Sequence, residues 1–285
     1  MKKKFLTWIT IVVLVFSLYL IWENFYKDTP QVSDYNQLKV HYIDVGQGDS
    51  CFIELPNGEN MLIDGGESKY ADDVSKYISA LSYSKIDYLV ATHGDSDHIG
   101  SLYKIFEDFD VENCYTSFYG AESKTYERFC EAVENEGIDL NTPYANEFII
   151  DTENLDVEVL GPVKNQRYKD KNDASVVLMI SYYDKDFLFT GDASYGWLED
   201  YNIGDIEVLK VSHHGSYTGT SKELINEIRP EYSVISVGQN NRYNHPHDSV
   251  IRLLKNSTVY ETSKKGCIIA SCDKNSINFE FEKAN

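Results

Sequence analysis

The stretch His93-Gly94-Asp95-Ser96-Asp97-His98 follows the apolar run Tyr88-Leu89-Val90-Ala91-Thr92. A buried strand that ends in two imidazoles and two carboxylates brings four metal-binding side chains into one small volume. Such crowding is costly unless cations neutralise it, and ions such as zinc and manganese accept a mixed nitrogen and oxygen set. A solvated polar loop is the bland alternative, and the other histidines argue against it. Six of the seven fall in three pairs: His93 with His98, His213 with His214, and His245 with His247. Between the first two pairs lies Phe187-Leu188-Phe189-Thr190-Gly191-Asp192, an apolar strand whose terminal carboxylate is placed to bridge two ions. His213-His214 follows Ile206-Glu207-Val208-Leu209-Lys210-Val211. Three strands that each end in ligand-type residues form a constellation.

Outward from these motifs, short apolar runs and turn residues predict strands at 39–44, 51–55 and 60–63. Apolar residues at Tyr70, Val74, Tyr77, Ile78 and Leu81 predict a helix over 70–81. A strand at 88–92, a helix around 102–109 and a helix at 124–135 follow, then strands at 148–150, 157–160, 176–181 and 187–190. Strand 206–211, helix 222–228, strand 232–237 and helix 248–254 alternate before two final strands. Strand blocks separated by helices imply an α/β body with helices on the outer faces of its sheets. No linker interrupts residues 39–285, which read as one domain.

Residues 1–24 differ. Lys2, Lys3 and Lys4 precede an uncharged stretch at 5–22 that lacks Pro and Gly. As a helix rising ~1.5 Å per residue it would span about 27 Å, enough for a bilayer. The lysines are expected on the cytoplasmic side, leaving a polar linker at 25–38 and the domain outside the cell. A signal peptide cleaved to release a secreted protein is the alternative, though no small-residue cleavage site follows. The chain carries a net charge of −20, yet from Tyr201 onward basic and acidic residues balance at ten each. The acidity therefore lies in the earlier part, which disfavours non-specific adhesion to polyanions. Five cysteines without a Cys-x-x-Cys pair indicate neither a metal knuckle nor an evident disulfide framework; each is expected to pack as a small apolar group, with one bridge outside the cell left open and its partners not given by the sequence.

His-x-Asp-x-Asp-His, Phe-Thr-Gly-Asp and Lys-Val-Ser-His-His-Gly-Ser, in that order, resemble the metallo-β-lactamase superfamily. Within it the chain is most similar to the extracellular hydrolase domain of ComEC-type competence proteins, which also accounts for Asp44-Val45-Gly46-Gln47-Gly48-Asp49-Ser50, Leu62-Ile63-Asp64-Gly65-Gly66 and the segment from Gly238 to Pro246. The resemblance implies a four-layer αβ/βα sandwich with its site along one edge. It also implies two divalent ions, manganese or zinc, as cofactors. His93 and Asp95 would hold the first ion, Asp97, His98 and His214 the second, and Asp192 would bridge. Asp97 and His213 would serve catalysis. His213 is either a group that contacts phosphate or a structural strand-end histidine. Ser216, Asn241, Tyr243 and His245 would meet the substrate, while Asp44, Asp49, Asp64 and Asp173 would orient ligands and loops. Two departures stand out. Asp95 occupies a position where histidine is usual, which hardens the site towards manganese. No histidine lies between His98 and His213, so the superfamily's middle histidine is absent, and Asp173, a water or His245 are the candidates for its place.

Two ions so held can activate water and clamp the attacking and leaving oxygens of an ester. The expected activity is hydrolysis of an anionic phosphodiester, either DNA, as the resemblance to DNA-uptake proteins implies, or a cell-wall polymer. The acidic body lacks the Lys/Arg track that gives DNA binding most of its affinity. Lactone or β-lactam hydrolysis on the same site is one alternative, and a non-catalytic envelope binding protein is another. No protein partner is indicated.

Overall fold

A computed structural model describes residues 36–117, 122–194, 196 and 203–282. The expected anchor and most of the linker fall outside the described residues. Among those described, no helix is long and apolar enough to cross a membrane.

The first sheet is built from β1 (Leu38–Tyr42), β2 (Cys51–Glu54), β3 (Asn60–Ile63), β4 (Lys85–Ala91), β5 (Asp110–Thr116) and the short β6 (Leu140–Asn141). The second takes β7 (Glu147–Asp151), β8 (Leu155–Gly161), β9 (Val177–Tyr182), β10 (Lys185–Phe189), β11 (Val208–Lys210), β12 (Tyr232–Ile235) and β13 (Thr258–Glu261). The chain then returns to the first sheet with β14 (Cys267–Cys272) and β15 (Ile277–Glu282). The strand orders are β15-β14-β1-β2-β3-β4-β5-β6 and β13-β12-β11-β10-β9-β8-β7. From β3 to β6 and from β10 to β13 neighbouring strands run parallel, so their carboxyl ends open on one edge in each sheet.

Alternation of side chains along the strands decides the layers. Val40, Tyr42, Ile53, Met61 and Ile63 of the first sheet meet Val157, Val159, Leu178, Ile180, Phe187 and Phe189 of the second in one buried cluster. Tyr42 and Phe189 stack across it at 6.2 Å between ring centroids. The Phe189 ring contributes about 1.5–3 kcal/mol by leaving water. The opposite faces carry helices. Phe52, Leu62 and Leu89 pack under α1 (Ala71–Ala80), α3 (Leu102–Asp108) and α4 (Lys124–Glu136), whereas Leu188, Leu209 and Ile235 pack under α5 (Lys222–Ile228) and α6 (Asp248–Leu253). Between α1 and α3 lies the single turn α2 (Ser96–Ile99), and α7 (Thr262–Lys265) precedes β14. These are the four layers expected.

Several details differ from the sequence expectation. Residues Ser68–Tyr70 form a 3-10 turn, so the first helix starts at Ala71. The second half of the metal motif is helical, because α2 takes up Asp97 and His98. Strand β5 was not anticipated: Val111, Cys114 and Thr116 are its buried residues, and the polar residues between them hide the pattern. Cys51, Cys114 and Cys272 are buried in the apolar clusters.

Candidate metal centre

The parallel strands deliver the site to the sheet edge. β3 leads into Asp64, β4 into Thr92 and His93, β10 into Asp192, and β11 into His213 and His214. The connection between β1 and β2 adds Asp49 from the same edge. Asp49 can approach because Gly48 lacks a side chain: a Cβ there would lie 2.4 Å from the Asp97 carbonyl oxygen, at φ +154. The Asp49 amide then donates to that oxygen at 3.1 Å.

Each imidazole is fixed through its Nδ1. His98 donates to Asp64 Oδ2 at 2.7 Å. His214 donates to the Ser236 carbonyl at 3.0 Å and has Asp49 Oδ1 at 3.2 Å. His93 has the Thr92 hydroxyl at 3.1 Å, and that hydroxyl in turn donates to Asp64 Oδ2 at 2.7 Å. Asp64 thus organises two histidines, with its other oxygen accepting from the Thr92 amide at 2.8 Å. His213 has Thr218 Oγ1 at 3.3 Å from its Nδ1. Such partners fix the tautomer that leaves Nε2 free as a ligand.

The four Nε2 atoms face one carboxylate. Asp192 Oδ1 lies 3.2 Å from that of His98 and 3.8 Å from that of His214. Asp192 Oδ2 lies 3.5 Å from that of His213 and 3.9 Å from that of His93. His214 Nε2 is also 3.4 Å from Asp97 Oδ2. His93, His98 and Asp192 form one group whose ligand atoms could share an ion; Asp97, His98 and His214 form a second. Asp49 joins two further groups, one with Asp64 and His98 and one with Asp192 and His214.

A cation fits this arrangement on two grounds. The buried Nε2 atoms of His93, His98 and His214 and the Oδ1 of Asp192 have no hydrogen-bond partner, and buried polar atoms are ordinarily satisfied. The electrostatics also demand positive charge at that point. Burial pulls the His214 imidazole down, but Asp192 and Asp49 more than reverse this and lift it to about 10. Burial acts the same way on His98, and Asp192 and Asp64 raise it well above the usual imidazole range. Burial would raise Asp192, yet His98, His214 and His93 hold it well below the carboxylate range. Asp97, against its own burial, is drawn down to about 2 by His214 and His98.

The remaining candidates divide. Asp95 is half-exposed, has His93 Nε2 at 3.8 Å from its Oδ2, and pairs through Oδ1 with Lys171. Asp173 does not join these groups; its Oδ1 accepts from the Ser194 amide at 3.1 Å. Asp44 bonds the Gly46 amide in its own turn at 3.1 Å. Asn241 is spent on its loop, donating to the Gly238 and His245 carbonyls and accepting from the amides of Tyr243 and His245. Ser216 is buried with Thr218 Oγ1 at 3.0 Å. His245 stands at the mouth, its ring centroid 5.7 Å from that of His213 and 6.4 Å from that of His214, with Tyr243 stacked on it at 5.6 Å. Its burial, reinforced by the neighbouring His214 and His213, pulls it down to about 4. His247, 4.8 Å from His245, has the exposed Tyr217 ring at 5.1 Å. Lys210, which the sequence marks only as the first residue of the Lys-Val-Ser-His-His-Gly-Ser motif, is buried with its Nζ 2.7 Å from Asp49 Oδ2, and Lys171 pairs with Asp95; a lysine in a strand or on a surface turn carries no local mark of such pairing.

Residues 43–239 match the metallo-beta-lactamase superfamily. Among curated proteins the chain is similar to ComE operon protein 3 of Bacillus subtilis, 29% identical over an alignment of 253 residues, with 81% of this chain and 32% of that protein covered. It is also similar to Recombination protein 2 of Haemophilus influenzae, 29% identical over 265 residues, 90% of this chain and 30% of that protein. The chain therefore spans about a third of the length of these relatives. Among solved structures, the metallo-beta-lactamase fold protein YhfI of Bacillus subtilis superposes with a TM-score of 0.55 at 12% identity, covering 83% of this chain and 100% of that one. That likeness shows the fold alone.

Proposed function

The chain belongs to the metallo-β-lactamase superfamily, and from that premise we propose that it is a metal-dependent hydrolase of phosphodiesters, held at a membrane by residues 1–24 with its catalytic domain outside the cell. The observation that carries the reading is Asp192, whose two oxygens each face two imidazole Nε2 atoms. A carboxylate so placed suits a pair of ions. Divalent ions there would supply Lewis acidity and an activated water, and would bracket the entering and leaving oxygens of an ester.

The protein's own residues hold and orient. His93, Asp97, His98, His214 and Asp192 would hold the ions, with Asp95 as a further oxygen ligand that favours manganese. Asp64, Thr92, Asp49 and the Ser236 carbonyl keep the imidazoles in register. At the mouth, His245 offers a neutral ring beside Tyr243, and Arg242 donates to the Tyr243 hydroxyl at 2.6 Å. Aromatic faces with a nearby guanidinium suit a phosphodiester that carries a ring or base. The name of one relative, a recombination protein, favours nucleic acid, while the net charge of −20, which works against a bare polyanion, suits a choline-decorated cell-wall polymer whose cations offset its phosphates.

Replacing Asp192 with Ala tests the reading. Loss of the shared anion leaves two cations facing each other, so the full chain loaded with manganese should bind two ions and the D192A variant none. Wild-type protein that takes up no ion under those conditions would end the proposal.

A further inference from the structure

Residues 163–171 are a basic island in an acidic chain. Val163-Lys164-Asn165-Gln166-Arg167-Tyr168-Lys169-Asp170-Lys171 holds four cations and one carboxylate, against a net charge of −20 overall. Lys171 pairs with Asp95, whose other oxygen lies 3.8 Å from His93 Nε2, so the loop ends at the metal centre. Lys164, Arg167 and Lys169 are exposed, and none has a carboxylate partner among the described residues. We propose that this loop and the cavity it lines hold the phosphodiester strand beyond the scissile group. A ring of the strand would enter the cavity, and the next phosphate would meet Lys164, Arg167 and Lys169. This rests on the phosphodiesterase reading and places the rest of its substrate.

Asn165, Gln166 and Tyr168 of the loop line a cavity of about 310 Å³ with Ser117, Tyr144 and Ala174, at the small end of the range of ligand sites, about 300–1,000 Å³. Thr142 in its wall has a buried hydroxyl without a partner, and buried polar groups are ordinarily satisfied. The cavity adjoins the metal centre through the backbone. Strand β5 runs parallel to β4 with Thr116 opposite Ala91, so Ser117 stands level with Thr92, next to His93. On the other side, two residues after Ala174, the Val176 amide donates to the Thr92 carbonyl at 2.8 Å. The loop is fixed from within: the Tyr168 hydroxyl accepts from the Val163 amide at 2.7 Å, and the Gln166 amide donates to the Val163 carbonyl at 3.2 Å. Lys164 Nζ lies 5.2 Å from the centre of the Tyr144 ring. Cations beside an aromatic face and a one-ring cavity suit single-stranded nucleic acid, which offers phosphates and rings in turn. A choline-decorated wall polymer brings ammonium groups that these unpaired cations repel.

The test uses the full chain with manganese and an oligothymidylate. A variant carrying Lys164→Gln, Arg167→Gln and Lys169→Gln should raise KM for the strand by a factor of about ten or more with kcat little changed. The slope of its log KM against log salt should be shallower by about 2, since each phosphate contact on a single strand contributes ~0.7. Lys164→Arg with Lys169→Arg, which keeps the charges, should keep the wild-type KM. Tyr144→Leu should raise KM roughly tenfold by removing a stacking face, whereas Tyr144→Phe should not. Independently of any variant, a bromodeoxyuridine strand irradiated on wild-type protein should crosslink within 142–171. A triple variant with wild-type KM and salt slope, or crosslinks confined to other segments, would overturn the inference and leave the phosphodiesterase reading standing. So would a choline-decorated wall polymer cleaved in preference through the same three cations. Wild type that cleaves no phosphodiester would remove the reading itself.

Discussion

Lys210 brings a full charge into the protein interior and meets Asp49 Oδ2 at 2.7 Å, with both side chains almost inaccessible. Burial lowers the lysine, but Asp49 outweighs this and raises it. Burial raises Asp49, but Lys210 and then His214 outweigh that and hold it well below the carboxylate range. The signs fix a window. Asp49 stabilises the fold above the ordinary carboxylate value of ~4 and loses that contribution as pH falls through its depressed folded value; Lys210 contributes fully below ~10.5 and loses it only as pH rises through its raised folded value. Lys210→Met, which strands the Asp49 carboxylate, should cost about 3–5 kcal/mol at pH 7, measured by urea unfolding in chelator, and the deficit should shrink as the solution is acidified below pH 4. A variant as stable as wild type at pH 7 would show that the pair contributes nothing. At this scale the sequence reveals what is local. His93 to His98 announce themselves because four ligand types stand within six residues. The Lys210–Asp49 pair spans 161 positions, and only the packing of one sheet on the other joins them.

Among the elements, the His213–His214 turn and the His245 loop meet at close range on the sheet edge. Gly215 has φ +82, and a Cβ there would lie 2.6 Å from Pro246 Cβ, while the His247 amide donates to the Gly215 carbonyl at 3.0 Å. This contact seats the His245 loop on the His213–His214 turn. Gly215→Ala should therefore cost about 1–3 kcal/mol from overpacking, with roughly 1–2 more from the left-handed backbone, and should reduce ester turnover by displacing His245. Unchanged thermal stability and turnover would show that the two loops move independently. The strands β9 to β11 were legible because nearly all their apolar residues are buried on both faces, and β8 because apolar and charged residues alternate along it. β5 was not, since its polar residues between Val111 and Cys114 mask the period. The turn α2 escaped notice for a different reason: four residues are too few for helical periodicity to register.

For the molecule as a whole, two sheets facing each other under helices place every candidate ligand on one edge, and that layering was legible from the order of strands and helices together with the motifs. What the sequence reading adds beyond the fold is location. The apolar stretch at 5–22 predicts that the full chain fractionates with membranes and that protease added to intact cells removes the domain by cutting within 23–37. Digestion only after lysis would place the domain inside. The central claim, a metal-dependent phosphodiesterase, is tested most directly by incubating the purified full chain with bis-p-nitrophenyl phosphate and single-stranded DNA, with manganese and with chelator, beside a lactone. The account predicts manganese-dependent cleavage of a phosphodiester that chelator abolishes and that Asp192→Ala lacks. Protein with both ions bound that opens the lactone, or cleaves nothing, would contradict it.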